Sequence, residues 1–141
     1  MQLDELKQYT RLKSDEIYYL VEIERLKQIK KTEIQYYNSP SLLAVPGGEP
    51  SSPTERLAVA SIEFAEKVEN RIAEMKQRLA ETRQKLKDID EFIQSVEDKE
   101  TRAMLRRHIK QRVSYNQIAK EFFVSRNYVA KRIKECVNEK R

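Results

Sequence analysis

Seven side chains within ten positions have the chemistry to grip a nucleic acid: Ser125, Arg126, Asn127, Tyr128, Lys131, Arg132 and Lys134. An arginine fork fits the two acceptors on a guanine edge. An asparagine amide fits the donor and acceptor on an adenine edge, while lysine ammonium and serine or tyrosine hydroxyl groups bind phosphate oxygens. The spacing is helical. Val129 and Ile133, four apart, make an inward stripe, and the polar residues fall on the remaining face. Ser125 stands just before the run, where its hydroxyl can accept an otherwise unpaired amide and leave the amino end of the helix facing a phosphate. On this reading Arg126, Asn127 and Tyr128 enter a groove first. Lys131, Arg132 and Lys134 lie further along, at phosphate positions. Arg106, Arg107 and Lys110, some 20 residues upstream, grip the flanking backbone.

Such a helix needs a platform, and the residues before it describe one. Ser114 is placed to cap a short helix whose apolar face is Ile118, Ala119 and Phe122. Ala119 is small where two crossing helices come closest, and Val124 can plug the angle between them. Ser114–Ile133 is thus the pattern of a helix-turn-helix, whose second helix lies in a DNA major groove. The same pattern also serves a plain helical hairpin with a solvated face. Upstream, Asp98 caps an expected basic helix over Lys99–Arg112, with Met104, Leu105 and Ile109 turned inward as the third wall of a small core. Phe123 stands at a turn position that often needs a left-handed backbone, where a side chain costs about 1 kcal/mol or more. Either the turn is reshaped there, or the ring is held by packing against another element.

Charge follows the same division. The chain of 141 residues carries a net +5, yet Thr101–Arg141 holds twelve Lys or Arg against Glu121, Glu135 and Glu139. That end is therefore +9 and the first 100 residues −4, a basic module on a mildly acidic body. Charged residues at 36%, two glycines and no tryptophan favour long solvated helices over a sheet. One histidine, one cysteine and no glycine-rich phosphate loop argue against an enzyme, a metal centre or a bound cofactor. His108 has no cysteine or carboxylate at ligand spacing and reads as a surface or packing residue. Cys136, alone, allows no intrachain disulfide and suits a reducing cytoplasm. It opens what reads as a short polar tail, Cys136–Arg141. No signal peptide and no membrane-spanning run is expected.

The remainder reads as two long helices and a break, so the fold expected is all-α. Residues 1–37 form the first helix, its stripe running through Tyr9, Leu12, Glu16, Tyr19, Ile23, Leu26, Lys30, Glu33 and Tyr37, widened by Leu3, Leu6, Ile17, Leu20 and Ile34. The pairs Tyr18–Tyr19 and Tyr36–Tyr37 are expected to pack against a neighbouring helix with their hydroxyls in water. Residues 38–53 hold all four prolines and both glycines, Gly47 and Gly48, and read as a linker that Leu42, Leu43 and Val45 can anchor. Thr54 can cap a helix over 54–97. In it Ala65, Ile72, Leu79, Leu86 and Ile93 repeat every seven residues beside Val68, Met75, Thr82, Ile89 and Val96. This is a heptad seam of about 60 Å. It can fold back on the first helix as a hairpin or pair with a second copy as a coiled-coil stalk, and both can hold at once. Residues 98–141 form the helix-turn-helix domain.

The segment VEDKETRAMLRRHIKQRVSYNQIAKEFFVSRNYVAKRIKECV resembles the C-terminal part of small phage transcriptional regulators of the RinA and ArpU type. These are similar in turn to the promoter-reading end (region 4) of bacterial sigma factors. The likeness lies in the order of acidic break, basic helix, "SY" entry, "IA" seam, "VS" turn and basic second helix, and covers about 40 residues. It implies a phage or prophage activator of late genes in the host bacterial cytoplasm, acting at a promoter with host RNA polymerase. Ser125, Arg126, Asn127, Tyr128, Lys131 and Arg132 would then be the DNA-reading face. Two positions depart from the pattern: Arg112 stands where many relatives have glycine, and Phe123 stands at the turn. Partners expected are double-stranded DNA and a second copy of the chain, a dimer being favoured. The alternatives are a packaging protein of the small-terminase kind and a coiled-coil adaptor whose basic end binds an acidic protein.

Overall fold

The computed structural model describes the backbone of residues 1–37 and 52–139, and the side chains of 1–32, 56 and 58–139. The segment 38–51, with Leu42, Leu43 and Val45, lies outside the described residues, as do the side chains of Glu33, Ile34, Tyr36, Tyr37 and the expected cap Thr54. The described residues are all-α. Their helices are α1 (Leu3–Leu6), α2 (Tyr9–Tyr37), α3 (Ser52–Gln94), α4 (Lys99–Lys110), α5 (Tyr115–Phe122) and α6 (Arg126–Glu139). Helix α3 begins before Thr54, with Pro53 in its first turn, where a missing amide and a fixed φ do no harm. No helix among the described residues is long and apolar enough to cross a membrane.

The chain divides into two compact units. The first comprises residues 1–16 and 81–141. Its core joins Leu6, Tyr9 and Leu12 to Leu86, Ile89 and Ile93 of the α3 end and to Val96 just after it. It continues through Met104, Leu105 and Ile109 of α4, Ile118 and Ala119 of α5, and Val129, Ile133, Cys136 and Val137 of α6. The three C-terminal helices thus share one core with the helix pair that precedes them. Burial of this many aliphatic side chains, at about 1.5–3 kcal/mol each before entropy is charged, is what holds the short helices in place.

Two expectations change here. The first helix is not continuous, because Lys7 and Gln8 interrupt it. The Gln8 amide bonds the Glu5 carbonyl three residues back at 3.2 Å, a 3₁₀-type tightening. In a straight α-helix Leu6 and Leu12 would point well apart, whereas three residues per turn brings Leu6, Tyr9 and Leu12 onto one line. Nor does the chain end in a polar tail at Cys136. Helix α6 runs to Glu139, and Cys136 and Val137 are buried. They continue the stripe of Val129 and Ile133 by another turn.

The second unit is residues 17–80. Ile23 and Leu26 of α2 meet Val68, Ile72, Met75 and Leu79 of α3, with Tyr19 and Phe64 at the margin. In both units α2 and α3 run antiparallel. Glu16 lies opposite Arg83 in the first (3.3 Å), and Lys30 is paired with Glu69 in the second. Of the ten heptad positions, nine in α3 and Val96 just beyond its end, only Ala65 is not buried. The seam is therefore filled within the chain, by α2 as a hairpin in the second unit and by α1, α2 and the C-terminal helices together in the first. Ile17 and Leu20 do not widen the packed stripe as expected. With Val21 they face solvent, Ile17 at 61% and Val21 at 62% exposure, because they sit about 100° or more round α2 from the line through Tyr19, Ile23 and Leu26. Tyr18 is exposed too, its ring edge-on to Tyr19 at 5.6 Å.

Candidate nucleic-acid interface

The expected platform is present and each of its three helices is capped by its own side chain. Asp98 Oδ2 accepts from the Thr101 amide (3.3 Å) and the Thr101 hydroxyl (2.5 Å) at the start of α4. Ser114 Oγ accepts from the Gln117 amide (3.2 Å) at α5. Ser125 Oγ accepts from the Tyr128 amide (3.1 Å) at α6. Such a cap contributes about 1 kcal/mol. Val124 is turned into the core between α5 and α6. Its amide bonds the Ala119 carbonyl at 3.0 Å, which closes the α5 end around Phe123.

The two positions that depart from the resemblance are the two non-glycine residues with positive φ among the described residues: Arg112 (φ 53°) and Phe123 (φ 57°, ψ 41°). The turn is therefore not reshaped; it takes the left-handed backbone with a phenylalanine in it. Nor is the ring held by packing. Phe123 is 94% exposed, so neither α4 nor the α3 end covers it. Its neighbours Phe122 and Val124 are the ones turned inward. Leaving α4, the chain passes Arg112 and returns its Val113 amide to the Arg107 carbonyl at 3.1 Å. The Val113 carbonyl accepts from His108 Nδ1 at 2.9 Å, taken as the protonated nitrogen. The His108 ring stacks on Tyr115 at 4.4 Å. His108 is thus a bracket for the α4–α5 turn, half-buried and without a metal-like setting. Burial raises the Tyr115 hydroxyl above its usual pKa, and Arg126 lies close enough to oppose that shift.

The structure sorts the ten expected DNA-contacting residues into two groups. Arg126, Asn127 and Tyr128 occupy the exposed first turn of α6, with Ser125 as their cap. Lys131 and Lys134 are exposed further along the same helix, Lys131 lying 4.0 Å from Glu135. Arg106 is exposed on α4. The other three are engaged by carboxylates of the chain. Arg107 Nε bonds Glu121 at 3.0 Å, and its other nitrogens reach Glu121 and Gln111. This fork raises the Arg107 pKa and holds the Glu121 carboxyl below its ordinary range. Lys110 Nζ lies 2.5 Å from Asp90 and 5.5 Å from the centre of the Tyr9 ring. Arg132 bonds Asp98 at 2.7 Å and lies 5.7 Å from the Tyr128 ring. Its pKa is raised by Tyr128 and then by Asp98. The Asp98 carboxyl is held low by the Thr101 hydroxyl first, with Arg132 adding to it.

Asp98 is legible in the sequence as a cap but not as the partner of Arg132, and the task of His108 is not legible there. The exposed cationic surface is narrower than the sequence implies, and it centres on α6. Among the described residues no three His, Cys, Asp or Glu side chains cluster as a metal site. Comparison of the chain with protein-family models, with curated proteins and with solved structures returns no match.

Proposed function

We propose that the chain is a sequence-specific, non-enzymatic DNA-binding protein, acting as a transcriptional regulator. On its likeness to phage regulators, it activates late genes at a promoter with host RNA polymerase, in the bacterial cytoplasm. The observation that carries the proposal is the amino end of α6. It is capped by Ser125, backed by a rigid core, and presents Arg126, Asn127 and Tyr128 exposed in a single turn. A helix amino end with an exposed guanidinium suits a major groove walled by phosphates. Lys131, Lys134 and Arg106 supply phosphate contacts around it.

Two recognition helices bound to two half-sites require two copies. The heptad seam is occupied by other helices of the same chain, so it is not available to the second copy. The exposed apolar line Ile17, Leu20 and Val21 on α2 is the surface this reading assigns to pairing. The test starts with the full-length chain and a random-sequence duplex pool. Recovery of a defined, two-fold symmetric sequence, with sedimentation at twice the chain mass in its presence, is the expected result. No preference over random duplex would sink the regulator reading and favour the adaptor. Ring-sized particles would favour the packaging role. A Val21→Glu variant that stays dimeric would remove the assigned pairing surface.

A further inference from the structure

Phe123 combines two unfavourable features that nothing among the described residues offsets. Its backbone is left-handed, where glycine sits without penalty and a side chain does not. Its ring is 94% exposed, the most exposed large hydrophobic side chain among the described residues. Arg112 shares the backbone conformation, but a guanidinium is at ease in water and a phenyl ring is not. The chain alternates through the turn: Phe122 inward, Phe123 outward, Val124 inward. The outward ring stands two residues before the Ser125 cap, beside the turn of α6 that carries Arg126 and Asn127. An outlier of this kind at a site is a reason to ask what it contacts.

We infer that Phe123 is a specificity-determining residue, whose ring reads the 5-methyl group of a thymine next to the bases met by Arg126 and Asn127. This rests on the DNA-binding reading proposed above. The thymine methyl is the one apolar group on the major-groove edge, and aromatic or aliphatic side chains are what recognise it. The surroundings favour DNA over an apolar protein surface. Lys120 and Arg126 flank the turn, and the neighbouring carboxylate, Glu121, is neutralised by Arg107. A ring bordered by cations fits a methyl bordered by phosphates.

The test uses the full-length chain and the duplex recovered by selection, in two forms: with thymine, and with uracil at single positions, which deletes only the methyl. For the wild type, uracil at one position is expected to weaken binding about fourfold when placed in one half-site, the effect of one methyl group, and about 15-fold when placed in both. Phe123→Gly is expected to bind the thymine duplex correspondingly less tightly and to lose the distinction between thymine and uracil. The same substitution relieves the backbone and should raise the melting temperature by about 2–5 °C, so weaker binding cannot be put down to misfolding. Phe123→Ala, which deletes the ring but keeps a side chain on the left-handed backbone, should match the glycine variant in binding and not in stability. If wild type and Phe123→Gly respond equally to uracil at every position, the inference fails, and a protein partner for the ring becomes the better explanation. If the wild type selects no sequence at all, the DNA-binding reading itself has failed.

Discussion

Helices α4 and α6 are both basic and both belong to the first unit, yet they place their charges differently. On α4, Arg107 is held by Glu121 and Lys110 by Asp90, which ties this helix to α5 and to the end of α3. On α6, Arg126, Lys131 and Lys134 are exposed, while Arg132 is drawn back to Asp98. A count of lysines and arginines treats the two helices alike. The carboxylates facing them separate a helix that braces the unit from one that offers charge to a partner. Exposed pairs of this kind add little to stability, so the shared apolar core sets how α4, α5 and α6 meet, and the pairs chiefly take Arg107 and Lys110 out of the charge offered to a partner.

The largest contrast between the two helices is expected when one arginine is removed from each. Arg126→Ala is expected to cost about 1–3 kcal/mol of discrimination between the selected sequence and variants at one base pair, or about 5- to 150-fold. Arg107→Ala should leave that discrimination unchanged, because its fork is already filled by Glu121. Equal loss of discrimination in both variants, in competition gel shifts, would mean that the groups engaged within the chain are released on DNA and that the two helices do not differ. A smaller effect separates the lysines. Lys134→Ala should lower the slope of log affinity against log salt by about 0.9 for each copy bound, with equal weakening on all sequences. Lys110→Ala should leave the slope where it was.

Much of the architecture is legible in the residues themselves. The heptad line in α3 is, because a seam repeating every seven residues leaves one face for a partner, and Val68 through Val96 fill it. All three caps of the C-terminal helices are, since each is a local pattern of one polar residue before an apolar run. The turn at Phe123 is legible only in part: the steric demand for a left-handed backbone is, but the exposed ring that accompanies it is not, and the left-handed backbone of Arg112 is not. The partners of Arg107 and Arg132 are not, because Glu121 and Asp98 lie 14 and 34 residues away in sequence. Local periodicity carries no information about pairs that only the tertiary fold brings together. Ile17 and Leu20 mislead for a related reason: an apolar residue near a stripe looks inward, and a rotation of about 100° along the helix decides otherwise. Cys136 and Val137 are legible in principle, at three and four residues beyond Ile133, but the neighbouring charges suggest an end to the helix.

Arg132 is the exception on α6 and the place where the comparison can be refined. Its fork is shared between Asp98 and the Tyr128 ring, so Asp98 occupies it much as a phosphate would. Asp98→Asn isolates this effect, because asparagine caps a helix about as well as aspartate and only the charge is lost. With Arg132 released, affinity for any duplex at low salt should rise about two- to threefold, the scale of one exposed ion pair. The accompanying pH dependence has a fixed sign. The Asp98 carboxyl titrates below its ordinary value in the folded chain, so its contribution to stability is complete above the ordinary carboxylate pKa of about 4. It is lost as pH falls through the lower, folded value. Acid unfolding of the wild type should therefore include a loss in that window that Asp98→Asn does not share. An asparagine variant with unchanged affinity and an identical acid profile would show that Arg132 is held by Tyr128 alone. The residue would then belong with Arg107 of α4 rather than with Arg126.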